Sequence, residues 1–217
     1  MIRQIRLRTV LRCLVFGLLT LTAQPPQSQA EPPESWEICA AYIAQAEQAL
    51  RLPPHLLQAI AKVESGRWNA AQSAISAWPW TVMAEGRGRF LPNKAAAIAE
   101  VEALKAKGVR NIDVGCMQIN LHFHPRAFEN LEQAFDPAQN VAYGATFLSQ
   151  LRQDSRSWTR AIGRYHSNTP ALSGRYRLKV FRAWRAEKRL ANQRRREAIE
   201  QRAQTASANA ARPVLAR

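Results

Sequence analysis

The sequence predicts an α+β domain that is mostly helical. Apolar residues recur at helical spacing in several segments, and residues that start or stop helices bound those segments. One glycine-centred stretch of strand-forming residues interrupts the helices and is typical of a small β-hairpin. The chain of 217 residues is long enough for one compact domain with terminal extensions.

Two helices open the predicted domain. The first runs from Ser35, a good helix-capping residue, to about Leu50. The second begins at Pro53-Pro54, because the N–H group that proline lacks would have no partner at a helix start. Its inward face consists of apolar residues at helical spacing: Leu56, Ile60 and Val63. Glu64 lies at the edge of that face and Gly66 ends the helix, so we expect a half-shielded carboxylate at the helix end.

A small β-hairpin is predicted between Trp78 and Pro92, with its turn at residues 84–88. The next helix begins at the cap residue Asn93 and is closed by Gly108. Residues 115–120 are expected to form a loop that enters a short helix or turn.

Three more helices are predicted in the second half of the chain. Asp136-Pro137 starts one of them, and the last begins near Ser173. Their inward-facing residues are Val141, Ala145, Leu148 and Leu151, then Trp158, Ile162 and Tyr165, then Tyr176, Val180 and Trp184. Beyond Trp184 the apolar stripe thins, and the basic tail is expected to be either a solvated helix or disordered.

The first 30 residues are predicted to be a secretory signal. The segment begins with a basic stretch that contains four arginines, and a short apolar run follows at residues 11–23. Small residues at 28–30 offer a cleavage site. The apolar run is too short to span a bilayer comfortably, and a retained anchor is the alternative. We therefore expect a signal peptide at 1–30, an exported domain at 31–184 and a basic tail at 185–217.

Two cysteines would remain after export, because Cys13 would leave with the signal. An oxidising compartment favours a disulfide between Cys39 and Cys116, and two buried free thiols are the alternative. The separation of their Cα atoms, which decides between the two, does not follow from the sequence.

The formal charge is +15, and removal of the four arginines of the signal leaves +11. Such a charge suits an anionic partner, which for an exported protein is cell-wall polymer or lipid rather than nucleic acid. Between Phe181 and Arg217 ten Lys and Arg accompany three Glu, so the tail holds much of the charge. The tail is therefore expected to contact an anionic wall or membrane surface, or to dock on a partner.

Four motifs follow one another along the chain. They are Glu64-Ser65-Gly66, Gly115-x-Met117-Gln118-Ile119-Asn120, Asn140-x-x-x-Gly144 and Gly163-Arg164-Tyr165-His166-Ser167. Their order and their residues resemble those of the soluble lytic transglycosylases, lysozyme-like enzymes that cut bacterial peptidoglycan. The resemblance covers about residues 51–184 and implies a lysozyme-like fold, with residues 78–108 as an insertion that contains the hairpin. The predicted signal indicates a periplasmic location, and no cofactor is expected.

The resemblance implies a role for each matching residue. Glu64 is the single catalytic acid and base, and Tyr165 hydrogen-bonds it. The residues implied to bind substrate or orient the site are Ser65, Met117, Gln118, Ile119 and Tyr165. The residues implied to shape the structure near the site are Gly115, Asn140 and Gly144. Three residues depart from the family pattern: Cys116, Arg164 and His166 replace leucine, alanine and asparagine.

Glycosidic cleavage needs a protonated acid, and partial burial raises the pKa of a carboxyl group enough to supply one near neutral pH. The family mechanism uses this one carboxyl and forms 1,6-anhydro-MurNAc without consuming water. Asp113 is expected to cap the loop backbone; if it holds a water instead, the enzyme would be a lysozyme. A non-catalytic wall-binding protein is the other alternative. Many enzymes of this class open the wall for a secretion system, pilus or flagellum, which is compatible with this chain.

Two further groups of residues are predicted to be structural. His122 and His124 lack a third ligand at suggestive spacing, so packing or surface roles are expected rather than a metal site. The aromatic residues of the insertion are expected mostly to pack, with sugar stacking as the alternative: Trp78, Trp80 and Phe90.

Overall fold

The computed structural model describes residues 35–210. The predicted signal at 1–30, with Cys13, and the end of the tail at 211–217 lie outside that range. The helices are α1 Ser35–Ala49, α2 Leu56–Ser65, α3 Lys94–Ala106, α4 Leu131–Ala134, α5 Pro137–Ser155, α6 Trp158–His166 and α7 Pro170–Ala210. The strands are β1 Gly66–Asn69, β2 Ala74–Ala77, β3 Thr81–Ala84, β4 Arg87–Phe90, β5 Ile112–Val114 and β6 Ile119–Asn120. The mostly helical α+β prediction is confirmed.

The strands form two antiparallel sheets, one of β1 and β2 and one in the order β4-β3-β5-β6. The predicted hairpin is β3–β4, and its turn is shorter than expected because Ala84 already pairs with Arg87. The two turn residues, Glu85 and Gly86, both have positive φ, which suits the right-handed twist of the strands. After Gly115 the second of the two expected alternatives is found, since a tight turn joins β5 directly to β6.

The start of α2 also differs from the prediction. The helix begins at Leu56, and a carboxylate from α1 satisfies its first N–H groups. One oxygen of Glu47 accepts from His55 N at 2.9 Å, and the other from Leu57 N at 2.7 Å and Gln58 N at 3.2 Å. A negative charge at a helix start is favourable, so this contact fixes α2 against α1.

Gly66 begins β1 rather than closing α2 in a left-handed conformation, because its φ is −62° and its ψ is 123°. A Cβ at this position would lie 2.2 Å from Lys62 O and 2.7 Å from Cγ2 of Ile75. Only glycine fits between the end of α2 and the β1–β2 hairpin, so this close packing fixes where the helix ends beside Glu64.

The core has two parts. One packs α1, α2, α5, α6 and the first part of α7 together, and the other packs the four-stranded sheet against α3 and α4. The first part of α7 is bound to α2: Trp184 Nε1 donates to Pro54 O at 2.8 Å, and Lys62 pairs with Glu187 at 2.7 Å. The predicted boundary at residue 184 therefore lies inside one continuous helix.

Candidate functional site

Glu64 is the next-to-last residue of α2, and a tyrosine from α7 holds its side chain. The hydroxyl of Tyr176 donates to Oε1 of Glu64 at 2.5 Å. Tyr176 is buried, and Glu64 is half-buried. Among the described residues no hydrogen bond involves Oε2 of Glu64.

The surroundings of Glu64 keep it protonated near neutral pH. Burial raises its pKa to about 8, and the charge of Asp113 acts in the same direction. The hydrogen bond from Tyr176 and the charge of Lys179 oppose this rise. Burial is the largest of these effects, since it penalises the ionised carboxylate. The site therefore contains an oriented carboxylic acid with one oxygen free to transfer a proton.

The prediction that Tyr165 hydrogen-bonds the acid was wrong. The hydroxyl of Tyr165 donates instead to Met117 O at 3.1 Å, and Tyr176 takes the position beside Glu64. His166, one of the departures from the family pattern, stacks on Tyr176 with ring centroids 4.7 Å apart. A signal for Tyr176 was present in the sequence, because a buried tyrosine on an apolar stripe needs a partner for its hydroxyl.

Ser65 and a disulfide fix the turn between β5 and β6 against the acid. The Ser65 hydroxyl is 2.7 Å from Cys116 O and 3.2 Å from Ala61 O. The structure joins Cys39 and Cys116 in a disulfide with their Cα atoms 5.8 Å apart, which is the first of the two alternatives left by the sequence. The turn is thereby attached to both α1 and α2.

Asn140 on α5 holds the same turn from the other side. Its Oδ1 accepts from Met117 N at 2.9 Å, and its Nδ2 lies 3.0 Å from both Val114 O and Ala134 O. Gly115 has a φ of +81°, and a Cβ there would lie 2.4 Å from Nδ2 of Asn140. A Cβ on Gly144 would lie 2.8 Å from Cβ of Met117. The motif residues thus form one closely packed unit behind the acid.

The structure buries several of the motif residues for which the resemblance implies substrate binding or orientation of the site. Ser65 and Met117 are 1% and 0% exposed, and Ile119 is 3% exposed. Gln118 is also buried, and its Nε2 donates to Thr81 O at 3.0 Å and to Gly115 O at 2.9 Å. Their hydrogen bonds and packing fix the turn between β5 and β6 beside the acid.

Asp113 was expected to cap the loop, but it does not. It lies on β5, and its Oδ1 accepts from Nδ2 of Asn120 at 2.7 Å. Burial raises its pKa, and the bond to Asn120 opposes that rise. When Asp113 is ionised, its charge contributes to the raised pKa of Glu64.

Replacement of Asp113 by asparagine is expected to shift the alkaline limb of any Glu64-dependent activity to lower pH. The change removes a negative charge that raises the pKa of Glu64 and keeps an amide oxygen for Asn120. Lys179→Met is the matched comparison and should shift the limb to higher pH, because Lys179 lowers that pKa. The measurement is the pH profile of kcat/KM for both variants. Shifts in the same direction would contradict this electrostatic account.

The other predicted candidates pack as follows. Trp78 and Trp80 are buried in the second core cluster, while Phe90 is 43% exposed. Nδ1 of His124 lies 2.9 Å from the Tyr143 hydroxyl, and the rings of His122 and Phe123 form a tilted pair with centroids 5.1 Å apart. Among residues 35–210 no group of three or more His, Cys, Asp or Glu is placed to hold a metal ion.

Comparison with known proteins points to one family. A family model described as "Transglycosylase SLT domain" matches residues 41–175, which is more than half of the chain. The match contains Glu64 and Asp113, and Tyr176 lies one position beyond it. No curated protein and no solved structure matches the chain significantly. None of the helices within residues 35–210 has the length and apolar composition needed to span a bilayer.

Proposed function

We propose that this chain, which belongs to the transglycosylase SLT domain family, is a peptidoglycan lytic transglycosylase. Its catalytic acid and base would be Glu64. The family consists of glycan-cleaving lyases that act on peptidoglycan strands outside the cytoplasm. The mostly helical α+β structure is the lysozyme-like fold of that family. We place the protein in the periplasm, to which the predicted signal at residues 1–30 would export it.

The observation that carries the proposal is a carboxyl group that is protonated at neutral pH and in which one of the two oxygens accepts a hydrogen bond from a tyrosine. The bond from Tyr176 occupies Oε1, so the proton resides on Oε2, where a glycosidic oxygen can approach. A positioned general acid typically contributes about 10²–10⁴ in rate. The raised pKa near 8 lets the same group donate a proton and later accept one close to neutral pH.

The proposed reaction uses this group twice. Glu64 protonates the oxygen between MurNAc and GlcNAc as the bond from that oxygen to C1 of MurNAc breaks. The N-acetyl group of MurNAc stabilises the positive charge that develops at C1. Glu64, now ionised, removes the proton of the C6 hydroxyl of the same sugar, and the bond between O6 and C1 forms. The products are a free 4-hydroxyl on GlcNAc and a 1,6-anhydro-MurNAc end, and Glu64 is protonated again.

Hydrolysis of the same bond is the second candidate, because the charge of Asp113 acts on Glu64. Glycosidases that use water commonly employ two carboxyl groups. An ionised Asp113 that positions a water would direct the reaction towards a reducing end.

Mass spectrometry of the products released from purified sacculi distinguishes these candidates. We expect products that end in 1,6-anhydro-MurNAc. Products heavier by one water per cut would overturn the proposal in favour of hydrolysis, and Asp113→Asn should then abolish them. A folded protein that binds sacculi but releases no products would favour a non-catalytic binding protein.

We further propose that the distal part of α7 attaches the enzyme to an anionic surface. Beyond Glu187, whose pairing with Lys62 fixes the helix to α2, α7 is mostly exposed. This distal part, from Lys188 to Ala210, contains six Lys and Arg and two Glu. Attraction between exposed charges is screened by salt, so the attachment should be salt-sensitive.

Truncation after Ala191 tests this attachment, because it leaves the contacts of Trp184 and Glu187 intact. The shortened protein is expected to lose the salt-sensitive part of its co-sedimentation with sacculi and anionic vesicles. Its activity on short soluble glycans should be unchanged. Equal sedimentation of the two proteins at low salt would contradict the proposed role of the tail.

A further inference from the structure

We propose that His166 is a positioning residue whose ring covers Tyr176 and keeps water away from the hydrogen bond between Tyr176 and Glu64. His166 acts through Tyr176, whose hydroxyl holds the acid, and does not itself take part in the transfer of the proton. The inference rests on the proposed function, since it concerns how the same acid is kept ready to donate.

The rings of His166 and Tyr176 form a parallel stack. Their centroids are 4.7 Å apart and their planes are inclined by only 8°. Tyr176 is 5% exposed, whereas His166 is an exposed residue at the end of α6. The imidazole therefore has one face on the tyrosine ring and much of its remaining surface in water. A side chain at the protein surface thus closes over the buried ring that reaches the acid.

Close packing between α6 and α7 fixes this stack. A Cβ on Gly163 would lie 3.3 Å from Cβ of Ser173 and 3.4 Å from its carbonyl oxygen, so glycine lets the two helices approach closely. The connection between them is held by its own hydrogen bonds, since Ser167 N donates to Gly163 O at 3.2 Å and Ser173 N to Thr169 O at 2.9 Å. The stacked rings lie three positions further along each helix than the two residues in close contact.

The exclusion of water from Tyr176 matters to the acid because burial is the largest cause of the raised pKa of Glu64. The charge of Asp113 on β5 acts in the same direction, while the bond from Tyr176 and the charge of Lys179 on α7 oppose it. Water that reached the tyrosine would solvate the ionised carboxylate and so weaken the largest of these effects. The ring of His166 therefore helps to keep Glu64 protonated at neutral pH.

The imidazole covers the tyrosine without adding a charge near neutral pH. Burial lowers the pKa of His166, and the positive charge of Lys179 acts in the same direction. A positive charge in this place would favour the ionised form of Glu64 and lower its pKa. Tyr165 and Tyr176 also stay neutral, because burial raises the pKa of each hydroxyl. A neutral ring therefore excludes water and does not oppose the protonated state of the acid.

The first test is the pH profile of kcat/KM on soluble glycan strands. His166→Ala removes the ring and is expected to shift the alkaline limb to lower pH by at least about 0.5 unit, a fraction of what full burial can cause. His166→Asn, which restores the residue of the family pattern, should shift it in the same direction. His166→Phe keeps a flat ring and should leave the limb in place. Tyr176→Phe keeps the stack but removes the bond that lowers the pKa of Glu64, so the limb should move to higher pH.

The second test needs no activity and compares the gain in Tm that Glu64→Gln brings to the wild type and to the His166→Ala protein. Below about pH 7 Glu64 is protonated in both folded proteins, so the two gains should be equal. At pH 9 the carboxyl group is ionised, and the gain should be smaller in the His166→Ala protein by about 2 °C. The reason is that water admitted by the missing ring lowers the penalty for ionising the acid in the folded state.

The matched control is His122→Ala, which removes the ring of another exposed histidine and should change neither the limb nor the gain in Tm. An alkaline limb of His166→Ala that stays in place or moves to higher pH would overturn the inference, as would an equal shift in His166→Phe. A raised KM with an unmoved limb would overturn it too, because His166 would then contact the substrate. Absence of cleavage by the wild-type protein defeats the proposed function, and the Tm comparison still decides the role of His166.

Discussion

Replacement of Glu64 by glutamine is expected to lower the release of soluble products from sacculi by about 10³-fold, because the amide cannot donate the proton that the leaving oxygen needs. The same variant should be more stable than the wild type at pH 7. Glutamine keeps Oε1 as an acceptor for Tyr176, so the hydrogen bond of the native site is preserved.

The stability gain follows from the raised pKa. The pKa of Glu64 is about 8 in the folded protein, whereas that of an ordinary glutamate is 4.5, so the native state binds a proton more tightly than the unfolded chain. The protonated Glu64 side chain makes its full contribution to the free energy of unfolding below pH 4.5, and this contribution is lost as the pH rises to about 8. Glutamine does not titrate, and at pH 7 it should avoid a penalty of roughly 2–3 kcal/mol.

Thermal unfolding at several pH values measures this effect. The Tm of Glu64→Gln should exceed that of the wild type by about 5–10 °C at pH 7, and the difference should vanish near pH 4. Glu102→Gln, a change of an exposed glutamate on α3, is the matched control and should alter neither Tm nor product release. Full activity in Glu64→Gln would refute the catalytic assignment, and a Tm difference independent of pH would refute the raised pKa.

Replacement of Asn140 by alanine is expected to destabilise the protein by about 3–5 kcal/mol. The change leaves Met117 N, Val114 O and Ala134 O without their partner in a fully buried position. A buried polar group without a partner costs about 1–3 kcal/mol. Asn140→Asp should be comparably destabilising, because it places a carboxylate oxygen against two carbonyl oxygens.

Denaturant unfolding at constant pH gives this free energy directly. Gln139→Ala is the matched control, because Gln139 precedes Asn140 on the same helix and is exposed. It should change stability by less than about 0.5 kcal/mol. A cost for Asn140→Ala as small as that of the control would mean that the turn between β5 and β6 does not depend on this side chain.

The sequence alone determined the elements whose signals lie close together along the chain. The Asn93 side chain accepts from Ala96 N at 2.9 Å and that of Asp136 from Gln139 N at 2.9 Å, so each predicted cap residue bonds a backbone group only three positions away. The β3–β4 hairpin was predicted for the same reason, because its two-residue turn lies at Glu85-Gly86. The start of α2 was misplaced because its capping carboxylate, Glu47, comes from another helix.

For the site, the sequence by itself placed Glu64 at the end of a helix with one apolar face, since that depends only on helical spacing. The tertiary structure decided which tyrosine holds the acid: Tyr176 lies 112 positions away, while Tyr165 bonds Met117. It also decided that Ser65, Met117 and Gln118 are buried. Hydrogen bonding and desolvation depend on which groups meet in space, and a linear pattern does not specify those distances.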